Sequence, residues 1–168
     1  AKKRTTWSAL FAGDSSVVDE IKAQFGKDGH ADRLGKVDPG EFPKLEEVAE
    51  ALSDSVKKVW LRAYESYVFE PLGLTRELYA ERSDLDALPD EVLQKIMERG
   101  IAFTDEREFG CDLALCGFDD RRRSAVLTVD ERGGVTRNFA EGFCAIGQGA
   151  ETATARLGLL GHSPPLDL

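Results

Sequence analysis

The pattern of apolar and polar residues divides the chain into an opening strand and helix, a helical middle and a strand-rich end. The opening holds a short apolar run from Trp7 to Ala12, closed by Gly13, and a run of this length predicts a buried strand. Helix-capping residues follow from Asp14, and apolar residues then recur at helical spacing up to Phe25. We therefore expect a strand, a tight glycine turn and a helix.

The middle of the chain is predicted to be helical. Gly, Asp, Lys and Pro dominate residues 26–40, which we expect to form a loop. Over residues 43–69 the apolar positions lie three and four residues apart, so the pattern predicts a long helix with one buried face. Shorter helices are expected from Thr75 and from Pro89, and the second of these is predicted to end at Gly100.

The last third of the chain has the pattern of β-strands. Residues 111–118 and 124–130 flank a polar turn and predict a β-hairpin. Further short strands are expected at 135–139 and 143–146, before a glycine turn and an Ala- and Leu-rich helix over 150–160. Helices grouped outside antiparallel strands predict an α+β layered fold.

Composition favours one domain and excludes some partners. The chain has 168 residues, of which 42% are hydrophobic, enough for one core but few for two. Its formal net charge of −9 repels polyanions, so we expect no nucleic-acid partner and no anionic membrane partner. No apolar run approaches the roughly 18–20 residues of a membrane-spanning helix.

The cysteines and histidines give little sign of a metal or cofactor. Cys111, Cys116 and Cys144 form no Cys-x-x-Cys motif, and their odd number favours free thiols and a cytoplasmic location. His30 and His162 lie in separate loops without the spacing of metal ligands, so neither a metal nor another cofactor is expected. A buried strand cysteine is also a better explanation of Cys144 than a nucleophile, because no base lies nearby in sequence.

Two glycine turns are the candidates for chemistry. The turn at Gly13 places backbone N–H groups between a strand and a helix, which is the physical basis of an oxyanion or phosphate site. The plainer interpretation is a capped helix start. The turn at residues 147–149 has the same form, but it lacks the lysine and the length of a phosphate-binding loop.

The order of these segments resembles the β-type subunits of proteasomes and their bacterial relatives, which are N-terminal-nucleophile hydrolases. Residues 7–13 and the helix after them resemble the family's third strand, glycine and first helix. Residues 110–119 and 127–134 look like its central hairpin, and residues 143–150 look like its AIGSG turn. The resemblance implies a four-layer αββα sandwich, incomplete in this chain, as a single domain over 1–168 with a helical insert around 43–100.

In this family an N-terminal threonine attacks a peptide carbonyl and its own amine is the base. The resemblance implies that Gly13 donates the backbone N–H of the oxyanion site and that Lys3 takes the role of the family's active-site lysine. Gln148 stands where many active members have a serine. No segment matches the family's first strand pair, which carries the threonine. Thr5 or Thr6, exposed by processing, is a less favoured nucleophile. Substrate-binding residues stay unassigned.

Three functions are weighed on this basis. We expect the scaffold of a proteasome-like threonine-type peptidase subunit, which hydrolyses amide bonds of peptides or proteins in a homo-oligomeric ring and is not active as this chain alone. The alternative is a non-catalytic, self-assembling structural or binding protein of the same fold, as the unmatched threonine and Gln148 suggest. The third is an unrelated domain that binds a nucleotide or another small molecule through its glycine turns.

Overall fold

The elements of the chain establish a mixed α+β fold. The computed structural model describes residues 7–35, 43–75, 88–106, 110–118, 123–137, 144–147 and 149–159. Within these ranges lie one four-stranded sheet, five α-helices and one 3-10 helix. In chain order they are β1 (Trp7–Gly13), α1 (Ser15–Lys27), α2 (His30–Gly35), α3 (Leu45–Val68), the 3-10 helix (Glu70–Leu72), α4 (Asp90–Glu106), β2 (Cys111–Phe118), β3 (Ser124–Val129), β4 (Val135–Arg137) and α5 (Ala150–Leu159).

The chain divides into two compact units. The sheet unit draws on residues 1–57 and 110–168, and the helical unit on residues 58–109. Helix α3 contributes its first part to the sheet unit and its remainder to the helical unit. Each unit has buried apolar side chains of its own.

The four strands are antiparallel and follow the order β1-β2-β3-β4. Since alternate residues of a strand point to opposite faces, and paired residues share a face, the register assigns every strand residue to one of two faces. The helix face carries Trp7, Ala9, Phe11, Gly13, Cys111, Leu113, Leu115, Gly117, Ala125, Leu127, Val129, Val135 and Arg137. The open face carries Ser8, Leu10, Ala12, Asp112, Ala114, Cys116, Phe118, Ser124, Val126, Thr128 and Thr136.

Helices α1 and α3 contact the helix face. The ammonium group of Lys22 lies 5.3 Å from the ring centroid of Phe11, and a guanidinium nitrogen of Arg137 lies 2.9 Å from the carboxylate of Glu46. Aliphatic side chains from both layers are almost fully buried, and each contributes about 1.5–3 kcal/mol by leaving water. They are Ile21, Leu45, Val48, Val56, Leu113, Leu115 and Val129.

The core of the helical unit is aromatic. The ring of Phe103, on α4, lies 5.6 Å from that of Trp60 and 5.3 Å from that of Tyr64, both on α3, in edge-to-face geometry. Helix α4 was predicted to end at Gly100, which was wrong, because it continues to Glu106. A Cβ on Gly100 would lie 3.1 Å from the hydroxyl of Tyr64, so this glycine makes room for that hydroxyl instead of ending the helix.

Two other predictions from the sequence were wrong. Residues 26–35 are not a loop: α1 continues to Lys27, and α2 follows at residues 30–35. Gly29 allows this, since its positive φ of 72° turns the chain between the two helices. Residues 144–146 form no strand, because the segment lies against the open face as an irregular stretch and not in a hydrogen-bonded ladder.

The strongest periodic patterns were read correctly. The long helix predicted over 43–69 is confirmed as α3, and the predicted hairpin is confirmed as β2 and β3. The first strand and helix are confirmed as β1 and α1. The helix expected from Thr75 falls on residues 76–87, outside the described residues.

Candidate functional site

The first glycine turn has a backbone conformation that only glycine fits. Gly13 ends β1 with a φ of +126°, and a Cβ built on it would overlap the carbonyl oxygen of Gly110. The next residue, Asp14, donates its N–H to that same oxygen at 2.8 Å. The close approach of two backbones therefore fixes glycine at this position.

The hydrogen-bond pattern sets the direction of the Gly13 N–H. Antiparallel pairs alternate between hydrogen-bonded and non-hydrogen-bonded. Asp14 is opposite Gly110 and bonds to it at 2.8 Å, so the adjacent pair, Gly13 with Cys111, is of the non-hydrogen-bonded kind. From this alternation we infer that the N–H of Gly13 points away from β2, toward the outer side of β1, and is a backbone donor that the β1–β2 ladder does not use.

Helix α1 begins directly behind this donor. Asp14 is its N-cap, and one oxygen of the carboxylate accepts hydrogen bonds from the N–H of Ser16 at 2.7 Å and from its hydroxyl at 2.6 Å. These bonds, first the one from the side chain and then the one from the backbone, lower the pKa of Asp14. The strand end and the helix start are thus held in one turn, with the partial positive charge of the helix N-terminus at the turn.

The second glycine turn meets the first. The N–H of Gly147 donates to the carboxylate of Asp112 at 3.3 Å, and Asp112 is the strand partner of Ala12. A Cβ on Gly147 would lie 2.8 Å from the Cβ of Ala12, and its φ is +81°. Helix α5 begins three residues later, at Ala150. Two turns that are more than a hundred residues apart in the sequence therefore lie side by side at the end of β1.

A small cavity adjoins the second turn. It has a volume of about 190 Å³ and is lined by Asp112, Leu113, Thr128, Val129, Asp130, Thr136, Ala145 and Ile146. Sites for drug-sized ligands usually measure about 300–1,000 Å³, so this one suits a single side chain or a small group. Asp130 already accepts hydrogen bonds from Arg132 and Gly134 within its turn, at 2.9 and 2.7 Å.

The thiols of Cys111 and Cys144 are not primed as nucleophiles. Burial, and after it the charge of Asp112, raises the pKa of Cys111 to about 11. Burial, and after it the neighbouring Cys116, also raises the pKa of Cys144. A reactive cysteine needs the opposite shift, because the thiolate is the nucleophile. The backbone N–H groups of the glycine turns are therefore better candidates for chemistry than these two thiols.

The structure places one of the two predicted catalytic residues. Gly13 lies at the centre of the site, whereas Lys3 lies outside the described residues, as do Thr5, Thr6 and Gln148. Asp112 was not singled out from the sequence, although its position in the predicted hairpin puts it on the same face as Thr128. The contact of Asp112 with Gly147 has no local sequence signal.

The residues that could bind a metal do not cluster. Across the ranges that the structure describes, no three side chains among His, Cys, Asp and Glu are grouped to hold an ion. Nor does any described helix have the length and apolar character needed to cross a membrane.

Comparison with known proteins identifies no family for this chain. Neither the protein-family models nor the curated proteins give a match to this chain.

Proposed function

We propose that this chain is the scaffold of a proteasome-like threonine-type peptidase subunit, with Gly13 as a backbone donor to the oxyanion. One observation carries the proposal: Gly13 forms the turn between β1 and a capped helix, where the inferred direction of its N–H is off the edge of the strand. The second glycine turn, which resembles the family's AIGSG turn, lies beside it. The resemblance in sequence and the closeness of the two glycine turns both support the proposal.

In this proposal a threonine carries out the attack, and the scaffold stabilises the anion that forms. The Thr hydroxyl oxygen attacks the carbonyl carbon of a peptide, its proton passes to the N-terminal amine, and the carbonyl oxygen becomes an anion. A positioned N–H stabilises such an anion, and loss of one such donor typically costs about 2.7–4 kcal/mol of barrier lowering. Gly13 is the donor in this proposal, and Lys3 takes the lysine role that the resemblance implies. The proposal assigns the threonine to a segment outside this sequence and therefore expects no activity from this chain alone.

The open face supports the proposed four-layer sandwich. Leu10 and Phe118 are 58% and 54% exposed on it, although both are large and apolar. In a sandwich, such a face packs against a second sheet, while helices cover the other face. Here α1 and α3 contact the helix face. We propose the sandwich on this ground. The resemblance in sequence is the basis for proposing assembly into a homo-oligomeric ring in the cytoplasm and a peptide or protein substrate.

A non-catalytic relative is the second candidate. The sequence has Gln148 where many active members of the family have a serine. A glutamine side chain is longer than serine and carries no hydroxyl, so it cannot make the same contact at the active site. On this alternative the glycine turns only hold the fold together, and the protein assembles without cleaving peptides.

The experiment joins three measurements on the native polypeptide, purified from its source. Its N-terminal residue is determined by sequencing and intact mass, its assembly by light scattering, and its activity with fluorogenic peptides. A mature N-terminal threonine, a ring-sized particle and peptide cleavage that a Thr→Ala change of that residue abolishes are expected. A ring-sized particle without cleavage would support the non-catalytic relative instead. A monomer without cleavage would overturn both.

A further inference from the structure

Helix α4 buries one face in the aromatic core and leaves two large apolar side chains outside that core. Ile96 and Phe103, seven residues apart, are 8% and 2% exposed. Met97 and Ile101, four residues apart, are 66% and 57% exposed. Side chains four residues apart on a helix are neighbours on its surface. Met97 and Ile101 therefore form one apolar patch on the outer side of α4.

Two exposed polar residues extend this patch along the helix. Gln94 lies three residues before Met97, and Thr104 lies three residues after Ile101. Spacings of three, four and three residues are those of the a and d positions in a coiled coil, so these four residues form one line, the α4 seam. The amide of Gln94 donates to the carboxylate of Glu98 at 2.8 Å, and the hydroxyl of Thr104 donates to the carbonyl oxygen of Ile101 at 2.9 Å. Both donors are thus bonded within α4, which leaves the seam suited to apolar contacts.

Three acids run along one flank of the α4 seam. Glu91, Glu98 and Asp105 are exposed and follow each other at intervals of seven residues, so they lie in one row beside the seam. In the part of the chain that the structure describes, no ion pair involves any of the three. Asp105 lies in the last turn of α4, where a negative charge is unfavourable beside the helix dipole. The stability of the helix therefore does not account for the whole row.

The charges beside the α4 seam decide what kind of helix fits it. In a coiled coil, charged residues next to the apolar seam select the partner, and bases opposite acids are favourable. A second copy of α4 offers no such bases. In antiparallel packing its acidic row meets the first, and in parallel packing the acids face Leu93 and Gly100, which flank the other side of the seam. The complement is a helix with lysine or arginine beside its own apolar residues.

We propose that the α4 seam is a docking site for an amphipathic helix of another protein. This helix has apolar residues at its a and d positions and lysine or arginine opposite Glu91, Glu98 and Asp105. A contact between two helices of this length is small, so the dissociation constant is expected at about 10–100 μM. The docking site uses none of the residues of the glycine turns, and the proposal does not depend on peptidase activity.

The test uses Met97 as the reporter, since it is the only methionine of the chain. The full chain is isotope-labelled at the methionine methyl group, and its single methyl signal is followed by NMR. Two synthetic helices of three heptads are added in turn, both with leucine at a and d, one with lysine and the other with glutamate at e and g. The lysine helix is expected to shift the signal until it saturates. The glutamate helix at the same concentration is expected to leave it unchanged.

Variants separate this docking site from general attraction between charges. Ile101→Ala removes an exposed side chain and is expected to weaken binding of the lysine helix at least about tenfold. Glu91→Lys with Glu98→Lys is expected to reverse the preference, so that the glutamate helix binds instead. The matched control is Glu50→Lys with Asp54→Lys, the same change of charge at exposed positions of α3, which keeps the lysine helix bound.

Three results in the titrations would overturn the proposal: a Met97 signal that neither helix shifts at up to about 1 mM, equal shifts by both helices, or equal losses of binding in the α3 and α4 charge variants. A dimer in light scattering that Ile101→Ala dissociates would also overturn it, because the seam would then hold a second copy. The comparison of the two synthetic helices uses the unaltered chain, so it decides the question without any variant.

Discussion

The two units of this protein bury their apolar surface by different means. The buried side chains of the sheet unit are aliphatic, and two glycines in it make close approaches, Gly13 to the backbone of Gly110 and Gly147 to the Cβ of Ala12. The helical unit relies on a few large rings, with Phe103 in contact with Trp60. We therefore expect the sheet unit to be destabilised most where a side chain is added, and the helical unit where one is removed.

The largest effect is expected from emptying the aromatic core. Phe103 is 2% exposed, and Phe103→Ala removes a ring that touches those of Trp60 and Tyr64. Loss of a buried Phe costs about 3–5 kcal/mol, so the free energy of unfolding in urea falls by that amount. The matched control is Met97→Ala on the same helix, where the side chain is 66% exposed and a change within about 0.5 kcal/mol is expected. Equal losses for both variants would contradict an aromatic core.

Adding one methyl group to the sheet unit is expected to have the next largest effect. In Gly13→Ala the new Cβ overlaps the carbonyl oxygen of Gly110, and the φ of +126° is strained for alanine. Strain and overlap each cost about 1–3 kcal/mol, so thermal unfolding should show a loss of at least about 2 kcal/mol.

The control for Gly13→Ala is a glycine substitution that is not expected to destabilise the protein. Gly26 lies in the last turn of α1, and a Cβ there meets nothing within 4 Å. Gly26→Ala should therefore be neutral or stabilise by up to about 1 kcal/mol, because alanine has the higher helix propensity. If Gly13→Ala were as stable as Gly26→Ala, the close approach at the site would not exist.

A smaller effect is expected from a buried hydroxyl on α3. Ser53 is 3% exposed, and its Oγ donates to the carbonyl oxygen of Gly133 at 2.6 Å. Ser53→Ala leaves that carbonyl without this donor, at a cost of about 1–3 kcal/mol in chemical denaturation. Ser66→Ala, on the same helix but exposed and bonded only to the carboxylate of Glu70, should change stability by less than about 0.5 kcal/mol. The reverse ranking would mean that α3 does not pack on the β3–β4 turn.

The smallest effect is expected from an ion pair. Arg137 and Glu46 join β4 to α3 at 2.9 Å, with side chains 25% and 39% exposed. A double-mutant cycle should give a coupling of about 0.2–1 kcal/mol that weakens in high salt. The pair of Lys22 with Asp19, 3.4 Å apart and 55% and 77% exposed, should give less. Coupling unaffected by salt would contradict a partly solvated pair.

The elements predicted correctly are those that the residue pattern within the element itself identifies. The period of the apolar residues in α3 and the alternation in β2 and β3 identify them without any neighbour. The prediction that α4 ends at Gly100 was wrong because it relied on the tendency of glycine to end helices. Here the glycine makes room for the hydroxyl of Tyr64, and the sequence near Gly100 does not show this contact. The loop expected over 26–40 was wrong for residues 26–35, where Gly29, with its positive φ, turns the chain between α1 and α2.

The candidate site also has one part that local sequence predicted and another part that it did not. Gly13 was recognisable as a turn between a strand and a helix, and that prediction needed only nearby residues. The pairing of β1 with β2 and the bond from Gly147 to Asp112 join segments far apart in the chain, so no local pattern contains them. The direction of the Gly13 N–H depends on that pairing and follows only from the register.

The most direct test of the proposed peptidase is a crystal structure of the native polypeptide with a peptide aldehyde. The aldehyde carbon forms a hemiacetal with a threonine hydroxyl, which leaves an oxygen where the oxyanion develops. The proposal predicts this oxygen about 2.7–3.1 Å from the backbone nitrogen of Gly13, bonded to an N-terminal threonine. An aldehyde bound elsewhere, or a crystal that takes up none while the protein cleaves no peptide, would contradict the proposal.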